Sequence, residues 1–232
     1  MDQLLHRVES LHAAGYLHRD IKPENFLLGT GKQGNIVYMT DFGLAAYWSD
    51  SHNCIMSHKP AASPRISLVG TCRYASINGH LNVAPSWRDD LESLGYMALY
   101  FLHGSLPWQG LQASSRQEKY RLVFERKKTI PVTELCHGLP MEFTTYMNYV
   151  RETGDQEKPD YKYLRSLLGR LFRRRGFEYD NVFDWTIGEF ERLSHVNQQR
   201  LVPRTNVVEQ NTPRDRAGRR DKKRMRRTRP KE

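Results

Sequence analysis

Four side chains within residues 18–43 have the types and spacing that phosphoryl transfer requires. Such a site must place a base near a hydroxyl group, hold a divalent metal on the phosphates and neutralise developing charge. Asp20 can orient or accept the proton of a hydroxyl group, and Lys22 can reach a phosphate as a mobile cation. Asn25 and Asp41 offer oxygen ligands of the kind that Mg²⁺ binds.

The order of these groups is more specific than any one of them. His18-Arg19-Asp20 is followed by Lys at plus two, Asn at plus five, and Asp41-Phe42-Gly43 twenty-one residues after Asp20. A solvated turn with an incidental Asp would explain one of these motifs but not the set. We therefore interpret 18–25 as a catalytic loop and 41–43 as a metal-binding loop.

On these motifs the chain resembles eukaryotic-type protein kinases, and further blocks make it similar to the casein kinase I family. In that family Ser-Ile-Asn stands where most kinases carry Ala-Pro-Glu, and here Ser76-Ile77-Asn78 follows Gly70-Thr71-Cys72-Arg73-Tyr74-Ala75. The other matching blocks lie at 88–96, 104–110, 158–161 and 182–185.

The resemblance implies a mainly α-helical, protein kinase-like fold with a small β-hairpin. It implies that residues 1–202 form the C-terminal, large lobe, with an activation segment at 44–78, and that 203–232 form a disordered basic tail. The implied activity is transfer of the ATP γ-phosphate, with Mg²⁺, to protein Ser or Thr near acidic or already phosphorylated residues.

The resemblance also implies roles for particular residues. The positions implied in catalysis and in binding ATP and Mg²⁺ are Asp20, Lys22, Asn25 and Asp41. Asp90 is implied to anchor the backbone around His18 and Arg19, which would fix the direction of the base.

A basic pocket is implied to recognise acidic substrates, at Arg73, the backbone of Gly110, and Lys119. The family commonly carries further basic residues ahead of Gly70, where this chain keeps only Lys59 and Arg65, so the preference is expected to be weaker. Without the resemblance, Lys119 would be interpreted as a solvated lysine on a charged helix face.

Apolar spacing predicts the helices that must position these residues. They are expected at 2–14, 87–103, 114–127, 141–152 and 160–173, with a final short helix carrying Phe183, Trp185, Ile187 and Phe190. The helix at 87–103 is apolar nearly all round, with Phe101 and Leu102 on its main apolar side, which indicates that it is buried.

Two short apolar runs, 26–28 and 36–39, flank a turn-rich interval and predict a β-hairpin. The hairpin would bring Asn25, at one end, close to Asp41, at the other. Residues 44–70 are polar and contain two prolines, which predicts a long irregular loop. Its candidate phosphorylation sites are Ser49, Ser51, Ser57, Ser63 and Ser67.

Length, charge and cysteine spacing restrict which other classes of protein the chain could belong to. The length of 232 residues suits one domain with a sizeable core. Of the net charge of +10, the stretch 203–232 contributes +8, from twelve Lys or Arg against four Asp or Glu. The three cysteines have no paired spacing, which is typical of a reducing compartment, and no apolar run is long enough to span a membrane.

We therefore expect an intracellular, soluble monomer in the cytoplasm or nucleus, without a membrane partner. The run 222–229 resembles a nuclear localisation signal, and the basic tail would contact import receptors or polyanions. A solvated tail with incidental attraction for polyanions is the alternative.

Only seventeen residues precede His18, and no Gly-rich loop, strand Lys or partner Glu of a kinase ATP-covering lobe is present. We therefore expect a truncated kinase domain with little or no turnover by this chain alone. Two other hypotheses stay open: a non-catalytic kinase-like interaction module, and a nucleic-acid binder in which the tail is primary.

Overall fold

The computed structural model describes residues 1–48, 68–81, 83–180, 182–183 and 187–188. The chain divides into the units Met1–Ile187 and Gly188–Glu232, and the elements below belong to the first. The predicted tail, the loop serines at 49–67 and most of the predicted final helix lie outside the described residues.

Seven α-helices occur in the described ranges. They are α1 (Asp2–Ala13), α2 (Ile77–His80), α3 (Trp87–His103), α4 (Arg116–Thr129), α5 (Val132–Leu135), α6 (Met141–Glu152) and α7 (Tyr161–Arg174). The five longer helices confirm the predicted ones to within two or three residues at each end. The short helices α2 and α5 were not predicted, because four residues are too few to establish a helical period. Within these ranges, no helix combines the length and apolar character needed to cross a bilayer.

Helix α1 supports the segment that carries the candidate catalytic residues. Its buried side chains are Leu5, Val8 and His12, which share one face because they are three and four residues apart. That face packs against α3 and α7. The chain leaves α1 directly into residues 16–25, so the packing of α1 sets where this loop begins.

Two small antiparallel sheets follow. The predicted hairpin is confirmed as β2 (Phe26–Leu28) paired with β3 (Val37–Met39), with Leu27 opposite Tyr38. A second pair, β1 (Tyr16–Leu17) with β4 (Ala46–Tyr47), was not predicted. The loop expected at 44–70 therefore begins with a strand, because pairing with β1 satisfies backbone groups that sequence alone left unassigned.

Helix α3 runs through the core and contacts α1, α2 and α6. It begins at a capping box in which Asp89 and Ser86 bond each other's backbone N–H groups. Every residue from 90 to 99 is buried, which confirms the prediction of a buried helix for most of its length. The prediction was wrong for Phe101 and Leu102, which are 60% and 50% exposed. Phe101 lines an apolar cavity of about 1300 Å³, and the described residues leave much of its side chain uncovered.

Candidate active site

The carboxylate of Asp90 joins α3 to the candidate catalytic loop. It accepts the backbone N–H groups of His18, at 2.6 Å, and Arg19, at 2.8 Å, and also His12 Nε2 at 2.8 Å. Burial opposes ionisation of this carboxyl, but the hydrogen bonds from His12 and the two backbone groups outweigh it and lower the pKa of Asp90. The loop is therefore tied by a buried anion to α3, in which every residue from 90 to 99 is buried.

His18 connects the loop to the end of the hairpin. Its Nε2 donates to the Thr40 carbonyl at 3.0 Å, and its Nδ1 accepts the backbone N–H of Asp20 at 3.3 Å. The ring also packs against Phe42, with 5.5 Å between ring centroids. This buried histidine thus holds 18–20 and 40–42 at a fixed separation, with Nε2 as the donor and Nδ1 as the acceptor.

Asp20 is almost buried, and both of its carboxylate oxygens are hydrogen-bonded. Oδ1 accepts the backbone N–H and the hydroxyl of Thr71, at 2.8 and 2.7 Å, whereas Oδ2 accepts Lys22 Nζ at 2.5 Å. Burial raises the pKa of Asp20, but the bonds from Lys22 and Thr71 act more strongly together and lower it overall. The hydrogen bond between Lys22 and Asp20 also raises the pKa of Lys22. The pair is therefore ionised, and Asp20 has a fixed direction.

Asn25 and Asp41, the candidate metal ligands, flank the hairpin in sequence and lie at its open end, where Phe26 pairs with Met39. Asn25 is buried and its Nδ2 donates to the Asp20 carbonyl at 2.8 Å, whereas its Oδ1 accepts no hydrogen bond from the described residues. Thr40 N–H donates to the Asn25 carbonyl at 2.9 Å, so the hairpin brings the residue before Asp41 against Asn25. Asp41 itself is exposed, and its negative charge contributes to the raised pKa of Lys22. An amide oxygen and a carboxylate fit a hard cation such as Mg²⁺.

Two non-glycine residues in the described ranges have a left-handed backbone, and both belong to this site. They are Arg19, with φ of 68°, and Asp41, with φ of 60°. Such conformations cost roughly 1–3 kcal/mol each and persist only where the surroundings impose them. For Arg19 the cause is visible: its N–H is held by Asp90, and the backbone of Gly70 packs against its carbonyl.

The basic residues predicted to read acidic substrates are only partly brought together. The guanidinium of Arg73 lies over the rings of Tyr74 and Tyr100, at 5.8 and 5.6 Å from their centroids. Lys119 is exposed on α4, and among the described residues no hydrogen bond or ion pair joins it to Arg73 or Gly110. Burial raises the pKa of the nearby Cys72 thiol, and the charges of Lys127, Lys119 and Arg116 oppose this rise. Positive charge therefore gathers around Cys72 rather than in one closed pocket.

Sequence reasoning missed several residues that shape the site. His12 had a usable signal, since it lies on the same face of α1 as Leu5 and Val8 and is therefore expected to be buried. Thr71 and Lys127 had none, because a threonine in a loop and a lysine in a charged helix are usually solvated.

The family model described as protein kinase domain matches residues 1–168 of the chain. The matched stretch contains all the candidate site residues described above and ends within α7.

Proposed function

The chain belongs to the protein kinase family, and from that premise we propose that residues 1–202 form the C-terminal lobe of a Ser/Thr kinase of casein kinase I type. The proposed reaction moves the γ-phosphoryl group of ATP to a Ser or Thr hydroxyl of a protein. The bond from the γ-phosphorus to the bridging oxygen breaks, the hydroxyl oxygen bonds to phosphorus, and ADP leaves. The observation that carries the proposal is the ionised Asp20 carboxylate, held between Lys22 and Thr71 beside Asn25.

Asp20 would receive the hydroxyl proton. Because its pKa is lowered, it is a weak base, and its main contribution is to orient the hydroxyl while the phosphoryl group departs. Proton transfer then comes late, when the attacking oxygen has become acidic through its new bond to phosphorus. This order suits the loose transition state that most analyses assign to phosphoryl transfer.

Lys22 would act on both sides of the transfer. Its ammonium bonds Asp20 Oδ2 with one N–H, and its other two donors, which bond no acceptor among the described residues, can contact a phosphate oxygen. A cation at this position reduces the charge that accumulates on the phosphoryl oxygens.

Asn25 and Asp41 would hold Mg²⁺ through the Asn25 amide oxygen and the Asp41 carboxylate. When bound, the metal supplies charge neutralisation on the nucleotide phosphates. Asn25 is also hydrogen-bonded to the Asp20 backbone carbonyl, so the metal ligand and the base share one rigid loop.

The proposed protein substrates carry acidic or phosphorylated groups near the acceptor. Support comes from Arg73, Lys119 and Arg116, whose positive charges surround the segment that follows Thr71. The distribution of these cations over an open surface supports a broad attraction to acidic sequences more than a single tight phosphate pocket.

A second candidate is a kinase-like module that binds without transferring phosphate. This candidate is favoured by large apolar side chains that are exposed next to the site: Leu27 is 53% exposed and Phe42 is 50% exposed. A nucleotide resting on this face would have no cover from the described residues, so we expect low turnover by this chain alone.

The test uses the full 232-residue chain with Mg²⁺, ATP and casein or an acidic Ser peptide, comparing wild type with Asp20→Asn. The control is Asp180→Asn, an exposed residue whose oxygen accepts the Val182 N–H as an amide oxygen also can. We expect the phosphate transfer of the wild type to be low, Asp20→Asn to remove it, and Asp180→Asn to leave it unchanged. Transfer that persists in Asp20→Asn would overturn the kinase mechanism, whereas Mg²⁺-dependent ATP binding with no transfer would favour the binding module.

A further inference from the structure

Lys127 is fully buried in the last turn of α4, where a charged side chain is costly unless it is well paired. Its ammonium donates to the carbonyl of Cys72 at 2.8 Å and to the carbonyl of Ala75 at 2.6 Å. A third contact joins it to His80 Nε2 at 3.2 Å. An ammonium has three N–H donors, so each one has an acceptor.

Aromatic rings complete the surroundings of this ammonium. Lys127 Nζ lies 5.0 Å from the ring centroid of Tyr96 and 5.1 Å from that of Trp108, both within range of a cation–π attraction. Trp108 has a second function, because its indole N–H donates to the Arg73 carbonyl at 2.8 Å. The carbonyls of three residues in the stretch 72–75 are therefore held from one side.

The same stretch is held at its other end by α3. Glu92 accepts the backbone N–H of Ile77 at 3.2 Å. At the start, Thr71 is bonded to the Asp20 carboxylate, so the segment 72–77 leads directly away from the candidate base. Arg73, within this segment, presents its side chain outward.

We propose that Lys127 is a positioning residue that fixes the segment 72–77 as the surface on which a substrate peptide lies. The inference rests on the proposed kinase function for the identity of the peptide, but the fixing of the segment does not depend on phosphate transfer. The lysine touches no reacting group. It would act by keeping Arg73 and the backbone next to Thr71 in the geometry that places an acceptor hydroxyl at Asp20.

Two measurements on the full chain test this role: amide hydrogen exchange, and binding of a fluorescent Ser peptide with flanking phosphoserine and Glu residues. The variant Lys127→Met keeps the length and apolar stem of the side chain but leaves the carbonyls of Cys72 and Ala75 without their donor. The matched control is Lys128→Met, which makes the same change at the exposed neighbouring position.

We expect the amides of Tyr74, Ala75 and Ile77 to exchange about tenfold faster in Lys127→Met, which corresponds to one lost hydrogen bond of ordinary strength. Exchange at Thr40 in the hairpin should not change, which would show that the lobe is still folded. Peptide affinity should fall by a similar factor, while Mg²⁺-ATP affinity stays at the wild-type value. Lys128→Met should behave as wild type.

A second variant, Trp108→Phe, removes the indole donor to the Arg73 carbonyl, keeps a smaller aromatic ring beside Lys127, and should accelerate exchange in the same segment. Unchanged exchange of 72–77 in both variants would overturn the inference. So would equal acceleration in the segment and the hairpin, because that pattern describes general destabilisation. If the wild type binds no peptide, the proposed function fails, and the exchange data still decide whether Lys127 fixes the segment.

Discussion

At the scale of single residues, two buried charges are accommodated in opposite ways. Asp20 keeps its charge because cationic and hydroxyl donors surround it, and its pKa falls. Lys127 is paired mainly with neutral carbonyls, and burial lowers the pKa of its ammonium to about 7. Among the described residues, the other titratable groups that face Lys127 are Cys72, His80, Glu92, Tyr96 and Arg151. The pKa of His80 is itself lowered to about 3 by burial and by the lysine.

The lowered pKa of Lys127 predicts a pH-dependent stability. Between pH 7 and pH 10.5 the unfolded chain binds more protons at this residue than the folded chain, so the free energy of unfolding rises with pH. We expect wild type to gain of order 1–2 kcal/mol relative to Lys127→Met between about pH 7.5 and 9.5, measured by urea unfolding.

Taking the difference between the two proteins removes the contributions of tyrosines and cysteines, which titrate in both. If the difference in unfolding free energy between wild type and Lys127→Met stays constant over this range, Lys127 keeps its proton in the folded state. If wild type instead loses stability relative to the variant, the lowered pKa of Lys127 is contradicted.

At the scale of elements, Gly70, the residue before Thr71, packs closely against the candidate catalytic loop. A Cβ atom added to Gly70 would lie 2.4 Å from the Arg19 carbonyl oxygen, and the φ of Gly70 is +86°. Gly104 at the end of α3 has a similar φ of +78° but no neighbour within 4 Å. Comparing the same substitution at the two glycines therefore separates the cost of backbone strain from the cost of steric contact.

We expect Gly104→Ala to cost about 1 kcal/mol of stability through its left-handed backbone alone. Gly70→Ala should cost about 1–3 kcal/mol more, because the backbone of Arg19 must move, and it should abolish the Thr71 bonds to Asp20. Denaturant unfolding measures the loss of stability in both variants. Mg²⁺-dependent phosphate transfer measures the effect of losing the bonds between Thr71 and Asp20. Equal free energies of unfolding for Gly70→Ala and Gly104→Ala would show that the backbone of Arg19 moves away from residue 70 without an energetic cost.

The elements that sequence predicted are those whose signal is local. The hairpin follows from two apolar runs around a turn, and α3 from an apolar period bounded by Ser86 and Gly104. The β1–β4 pair was missed because two-residue strands have no period and their partners are 29 to 31 residues apart. Likewise, the chain can show that Lys127 is charged but not that three acceptors meet it inside the fold.

At the scale of the whole molecule, the charge is unevenly distributed. Residues 203–232 carry +8 of the net +10, so the remaining 202 residues are close to neutral. Neutral and basic parts of one chain interact differently with polyanions, because each phosphate contact releases counterions and weakens with added salt.

We expect the full chain to bind single-stranded DNA or heparin with an affinity that falls by at least about tenfold between 50 and 200 mM salt. A chain ending at residue 202 should lose this binding, as measured by fluorescence anisotropy. If the shorter chain binds as well as the full one, the basic surface must lie within residues 1–202, where α7 carries several exposed arginines.

Three side chains hydrogen-bond the main chain of the segment 72–77. Lys127 and Trp108 donate to its carbonyl groups, and Glu92 accepts one of its amide N–H groups. None of these hydrogen bonds involves a side chain of the segment. The fold therefore constrains the path of this segment through its main chain, whereas its side chains differ: Tyr74 and Ser76 are buried and Arg73 is exposed. For protein engineering, Arg73 is thus the position in this segment at which a side chain can be changed for a new peptide preference without removing the bonds that hold the main chain.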